Sequence, residues 1–148
     1  KLFAAACKVG GIVAGANEKE IKLLEEFGMN LGICFQIVDD LLDYTAQTID
    51  FGKKVGNDFL EGKVTLPIIF ALKKNKKFIS TLLSKENKQV EDYTNLKNFL
   101  EENHITDLVV DVAKSYSKKA KSALQKLPQT EVSSKLLALV DFLIHRTY

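Results

Sequence analysis

The stretch FQIVDDLLD, Phe35 to Asp43, sets three carboxylates into an otherwise apolar helical run. From Leu23 to Gly52 the chain carries six acidic residues and no Lys, Arg or His. Acids packed this closely repel one another and raise each other's pKa unless a cation lies between them. With no basic residue in the stretch, a hard divalent cation such as Mg2+ is the natural partner. On an α-helix, at about 100° per residue, Asp39 and Asp43 share one stripe with Gln36, Phe35, Gly32 and Gly28, and Asp40 sits at its edge. Phe27, Leu31, Cys34, Ile37, Val38 and Leu41 occupy the other side. That side predicts a core face. The small-then-acidic side predicts the wall of a cavity, with room left by the glycines and charge at its mouth. An isolated DDxxD string more often marks a solvated helix end, although acids near a helix C-terminus oppose the macrodipole, so stability alone does not ask for them there.

The segment after the acids shifts the balance. Thr45 to Lys63 is a 19-residue connection containing Gly52-Lys53-Lys54, Gly56-Asn57-Asp58 and Glu61-Gly62-Lys63. Structureless loops beyond roughly 12–15 residues are uncommon in compact domains and are usually functional or disordered. Lysine ammonium groups suit phosphate oxygens. Carboxylates able to hold metal, followed by lysines, form a combination suited to a diphosphate. Lys54 reads as ordinary surface; Lys53 and Lys63 are candidates for contact.

The run "GMNLGICFQIVDDLLDYTAQTIDFGKKVGNDFLEGKVTLPIIFAL", Gly28 to Leu72, closely resembles the second aspartate-rich region of the trans-type isoprenyl diphosphate synthases. The match is composite: FQ, then DDxxD, GK, GxD and GKxTLP, and the TLPI ending is similar to the bacterial long-chain, octaprenyl-like polyprenyl enzymes. The opening LFAAACKVGGIVAGA resembles the helix before this region. The resemblance implies an all-α helical bundle around a central cavity, present here as its C-terminal half, because family members are about twice as long and carry another aspartate-rich motif in their first half. It implies that this portion alone has little condensation activity.

By the same resemblance, Asp39, Asp40 and Asp43 are the second metal-binding motif, with Asp39 the most direct Mg2+ ligand. Gln36 would face the allylic carbon and Phe35 would wall the pocket. Lys53 and Lys63 would contact the allylic diphosphate. The implied reaction is Mg2+-dependent condensation of isopentenyl diphosphate with an allylic diphosphate, by a cytoplasmic enzyme that is a homodimer at full length. A non-catalytic subunit of a heteromeric synthase is the first alternative, but such a chain is expected to lose motif acids or loop lysines. A terpene cyclase is the second, with a different second metal motif. A plain helical interaction module is the third.

Composition fits this reading. Of 148 residues, 46% are hydrophobic and 27% charged, with eight Gly and two Pro, and apolar spacing is helical throughout. The net charge of +2 is too small and dispersed to suggest nucleic acid. Cys7 and Cys34 lack CxxC spacing and read as buried thiols in a reducing compartment. No run reaches the roughly 18 apolar residues of a transmembrane helix.

Helices are expected at about 2–15, 17–45, 65–75, 77–84, 89–103, 105–127 and 131–146. Asn17 and Glu20 predict a capping box, and Pro67 falls in a first helical turn, where its missing N–H costs nothing. The small residues of the first helix predict close packing on a neighbour. Apolar stripes are expected at Val109, Ala113, Tyr116, Ala120, Leu124 and Leu127, and at Val132, Leu136, Leu139 and Leu143. A polar break near 85–92 suggests motif-bearing helices over 1–84 and peripheral helices over 85–148, within a single domain portion spanning 1–148. Lys73 to Lys77 reads as a solvated turn, and His104 and His145 as structural or surface groups. Arg146 is a candidate terminal basic contact.

Overall fold

The computed structural model describes residues 1–45 and 56–146, and all regular structure among them is helical. The elements are α1 (Leu2–Val13), α2 (Glu18–Thr45), α3 (Asn57–Leu60), α4 (Leu66–Lys74), α5 (Lys76–Leu83), α6 (Val90–Glu102), α7 (Ile105–Gln125) and α8 (Glu131–His145). Seven of them fall where the apolar periodicity places them, with ends shifted by one or two residues. The eighth, α3, lies inside the stretch read as an unbroken connection, which corrects that expectation. The chain forms two compact units, one from residues 1–38 and 111–148, the other from 39–110.

In the first unit, α2 starts on the predicted reciprocal cap. The Glu20 backbone N–H donates to Asn17 Oδ1, and the Asn17 N–H donates to the Glu20 carboxylate, each at 3.0 Å. Such a cap stabilises a helix by about 1 kcal/mol. The apolar side of α2 is buried as expected: Phe27, Leu31 and Cys34 are almost fully covered. Phe27 and Leu31 pack with Ala120, Ala123 and Leu124 of α7 and Val140 and Leu143 of α8. Burying a Phe or Leu side chain completely contributes about 1.5–3 kcal/mol.

The glycine side of α2 differs from expectation. A Cβ at Gly28 would lie 2.5 Å from the Phe3 carbonyl oxygen and 2.9 Å from Ala4 Cα. At Gly32 it would lie 3.2 Å from Phe3 Cβ. The room left by these glycines is therefore filled by the backbone and ring of α1, not left open as a cavity wall. Close packing of the small-residue first helix is the physical result, and Lys8 of α1 adds an ion pair to Glu25 at 2.9 Å.

The predicted stripe on α7 is buried at Val109, Ala113, Ala120 and Leu124, with Tyr116 and Leu127 half-buried. On α8 the expected stripe is met in part: Leu143 is buried and Leu136 half-buried against the core. Val132 and Leu139 are exposed, while Ser133, Val140 and Leu143 are buried. Ser133 is drawn inward by the cap: its N–H donates to Thr130 Oγ1 at 3.2 Å, and the Thr130 N–H donates back to Ser133 Oγ at 2.6 Å.

In the second unit, α4 packs on α5 and α6, and α5 on α6. Pro67 occupies the first turn of α4 as expected. Asn75 ends α4 and caps α5, its side chain accepting the Phe78 N–H at 3.1 Å. Phe78 and Phe99 then meet at 5.2 Å between ring centroids. No helix among the described residues is long and apolar enough to cross a membrane.

Candidate functional site

The acidic run closes α2. Asp39, Asp40 and Asp43 are each half-buried over its last two turns. Asp43 is committed to the chain that returns after the connection. Its Oδ1 accepts the Gly56 N–H at 3.1 Å and its Oδ2 accepts the Asp58 N–H at 2.9 Å. The same Gly56 N–H also reaches the Asp43 carbonyl at 3.1 Å. The carboxylate thus satisfies the Asp58 N–H in the first turn of α3 and shares the Gly56 N–H with its own backbone carbonyl. Burial pushes the Asp43 carboxyl above its ordinary value, and the nearby Asp58 charge adds to this, while the backbone N–H bonds pull the other way.

Gly56 is the pivot of this turn. Its φ of +87° is one that L side chains rarely adopt, and a Cβ there would lie 2.8 Å from the Tyr93 ring. Tyr93 in α6 also donates its hydroxyl to the Asp43 carbonyl at 2.8 Å. Its ring lies 6.3 Å from those of both Tyr44 and Phe59. Tyr44, nearly fully buried, places its hydroxyl 3.5 Å from Thr65 Oγ1. The end of α2, the α3 turn and α6 are thus tied together by one aromatic and hydrogen-bonded knot.

Lys63 is exposed and stands at the far side of the α3 turn. Its ammonium pairs with Asp58 at 2.9 Å and with Glu61 at 2.8 Å, and its backbone N–H donates to the Asp58 carbonyl at 2.8 Å. Those carboxylates hold its pKa above the ordinary lysine value. The structure thus brings Asp43 and Lys63 together through Asp58. Lys53 lies outside the described residues. Phe35 and Gln36, earlier on α2, belong to the other unit: Phe35 is half-buried with its ring 5.5 Å from that of Phe3, and Gln36 is exposed.

Two residues of the knot were not singled out from the sequence. Asp58 was visible only as part of a GxD pattern. Tyr93 carried no signal, because its partner is 50 residues away in the chain.

The donor set at the end of α2 suits Mg2+ in kind, being carboxylate oxygen throughout. No three acidic, His or Cys side chains among the described residues cluster as a ready-made cage. Mg2+ does not need one, since it is commonly held by one or two carboxylates together with substrate phosphates and water. Asp39 and Asp40 are half-buried carboxylates of that kind.

Comparison with known proteins agrees in sequence and fold. The family model for polyprenyl synthetase matches residues 1–102. Octaprenyl diphosphate synthase from Haemophilus influenzae is 34% identical over 100% of this chain and 46% of its own length. Heptaprenyl diphosphate synthase component 2 from Bacillus subtilis is 36% identical over 99% of this chain and 42% of its own. Among solved structures, polyprenyl synthase from Caulobacter crescentus, complexed with calcium and isoprenyl diphosphate, superposes with a TM-score of 0.90 at 33% identity, over 99% of this chain and 46% of that one. The chain therefore spans less than half the length of these relatives. The all-α architecture, the FQxxDDxxD helix and the matches at this level establish that the chain belongs to the polyprenyl synthetase family.

Proposed function

We propose that the full-length protein performs prenyl transfer, condensing isopentenyl diphosphate with an allylic diphosphate to give a longer polyprenyl diphosphate. The observation that carries this reading is the pairing of a carboxylate-bearing helix end with a lysine turn anchored to it through Asp43 and Asp58. Asp39 and Asp40 would hold Mg2+, with Asp43 contributing through the lone pairs its N–H donors leave available. When bound, Mg2+ neutralises charge on the diphosphate and makes it a better leaving group.

The chain's own residues do the rest. The barrier to this chemistry is separation of a carbocation from an anionic leaving group. Lys63, with Lys53, binds the departing diphosphate more tightly as its negative charge grows, which lowers the barrier. For Lys63 this means exchanging carboxylate partners for phosphate oxygens. The FQxxDDxxD pattern gives the Gln36 amide oxygen the role of stabilising the positive carbon and Phe35 that of excluding water that would trap the cation. The Bacillus relative is named as one component of its synthase, so assembly with a different partner chain is a second reading beside a homodimer.

Binding of a non-ionisable allylic diphosphate analogue to the full-length protein tests the proposal. Affinity should fall at least tenfold on chelation of Mg2+ or in Asp39→Ala/Asp40→Ala. Binding that is indifferent to both would overturn it.

A further inference from the structure

We infer that Tyr93 is a positioning residue that sets the place of Lys63 by clasping the end of α2 to the Gly56–Lys63 turn. The inference rests on Lys63 contacting the diphosphate, the role proposed for it in prenyl transfer.

The clasp has two parts. The Tyr93 hydroxyl donates to the Asp43 carbonyl at 2.8 Å, and that carbonyl, in the last turn of α2, also receives the Gly56 N–H. The Tyr93 ring closes against Gly56, leaving no space for a side chain there, and stacks with Tyr44 behind. From Asp43 the path runs through Oδ2 to the Asp58 N–H at 2.9 Å, then from the Asp58 carbonyl to the Lys63 backbone N–H at 2.8 Å, a link that stays when the ammonium exchanges carboxylate for phosphate. Every link is within hydrogen-bond distance. Burial and the nearby Asp43 charge push the Tyr93 phenol up to about 12, so it remains a donor throughout the neutral range.

This arrangement answers a physical problem. Lys63 is an exposed residue on a long flexible stem, and fixing such a side chain costs rotamer entropy. A turn held at one end by a carboxylate and a tyrosine presents the lysine from a defined backbone position and reduces the number of places it can reach. Tyr93 itself touches neither diphosphate nor metal. It acts through Asp43 and Asp58.

The test is steady-state kinetics on the full-length protein with Tyr93→Phe, Lys63→Ala and both together. Tyr93→Phe keeps the ring and removes one hydrogen bond, so it should raise KM for the allylic diphosphate about 2–10-fold. It should leave KM for isopentenyl diphosphate unchanged, and any fall in kcat should not exceed that of Lys63→Ala. In the double variant the Tyr93 substitution should add nothing to the effect of Lys63→Ala. If the two effects multiply, or if Tyr93→Phe raises both KM values together with a lowered melting temperature, Tyr93 is a general structural residue and the clasp is refuted. If Lys63→Ala raises the allylic KM while Tyr93→Phe does not, the clasp alone falls. If Lys63→Ala itself has no effect, the diphosphate role of Lys63 falls, and the clasp with it.

Discussion

The Asp58 backbone N–H donates to Asp43 Oδ2 at 2.9 Å, so the last acid of the DDxxD run holds the turn that bears Lys63. A carboxylate that accepts N–H groups from both Gly56 and Asp58 carries part of the local stability. Asp43→Ala strands the partly buried Asp58 N–H, at about 1–3 kcal/mol if no water replaces the acceptor, while the Gly56 N–H keeps the Asp43 backbone carbonyl. Asp43→Asn keeps one carbonyl oxygen and should fall between. Urea unfolding of the full-length protein checks the ranking, and equal midpoints for Asp43→Ala and the parent would show that the carboxylate does not hold the turn.

Asp39 should behave in the opposite way. It is half-buried near the end of α2, and the role proposed for it is with Mg2+ rather than with the fold. Asp39→Ala should leave the unfolding midpoint nearly unchanged and lower turnover by about two orders of magnitude or more, as loss of a group that stabilises transition-state charge does. Turnover measured across a Mg2+ titration decides this; a near-normal rate would remove Asp39 from the mechanism.

The crossing of α1 over α2 gives a sharper structural test. At Gly28 the obstacle to a methyl group is the Phe3 carbonyl and the Ala4 Cα, which are backbone and cannot rotate aside. At Gly32 it is the Phe3 side chain, 3.2 Å away, which can shift by a few tenths of an ångström. Gly28→Ala should therefore destabilise by about 1–3 kcal/mol, the usual cost of overpacking, and Gly32→Ala by less. Equal stability of the two variants would contradict this packing.

Legibility in the sequence depends on the range of each interaction. The buried face of α2 repeats at helical spacing from Phe27 to Leu41, and the Asn17–Glu20 cap is closed within three residues, so both could be read directly. The short α3 could not. Its four residues hold no periodicity, and its start is fixed by Asp43, some 13 residues earlier. The α8 face was placed only in part because Val132, Leu136, Leu137, Leu139, Val140, Phe142 and Leu143 spread over more than half of the helix circumference. The glycines of α2 were read as space for a ligand, but space next to a helix is equally suited to another helix, and α1 occupies it. Within the candidate site, the acids and Lys63 were visible as types in a pattern; the Tyr93 link was not, because it depends on a fold that brings α6 to the end of α2.

Asp92 gives a prediction with a definite sign in pH. Nearly fully buried at the start of α6, it accepts the Gln89 N–H at 3.0 Å and the Lys85 ammonium. The Gln89 N–H first, and the Lys85 ion pair second, hold its carboxyl below the ordinary value. In the unfolded chain an Asp titrates near 3.9. The unfolded state therefore takes up a proton at a higher pH than the folded state, and stability rises with pH across that interval. The contribution is complete above the unfolded value and is lost as pH falls through the depressed folded one. Asp92→Asn cannot titrate, so its stability deficit against the parent should be full at pH 7 and shrink below about pH 4. Thermal unfolding of both proteins from pH 7 to pH 3 measures the gap. A deficit of constant size across that range would show that the Asp92 charge contributes nothing and that only its shape matters.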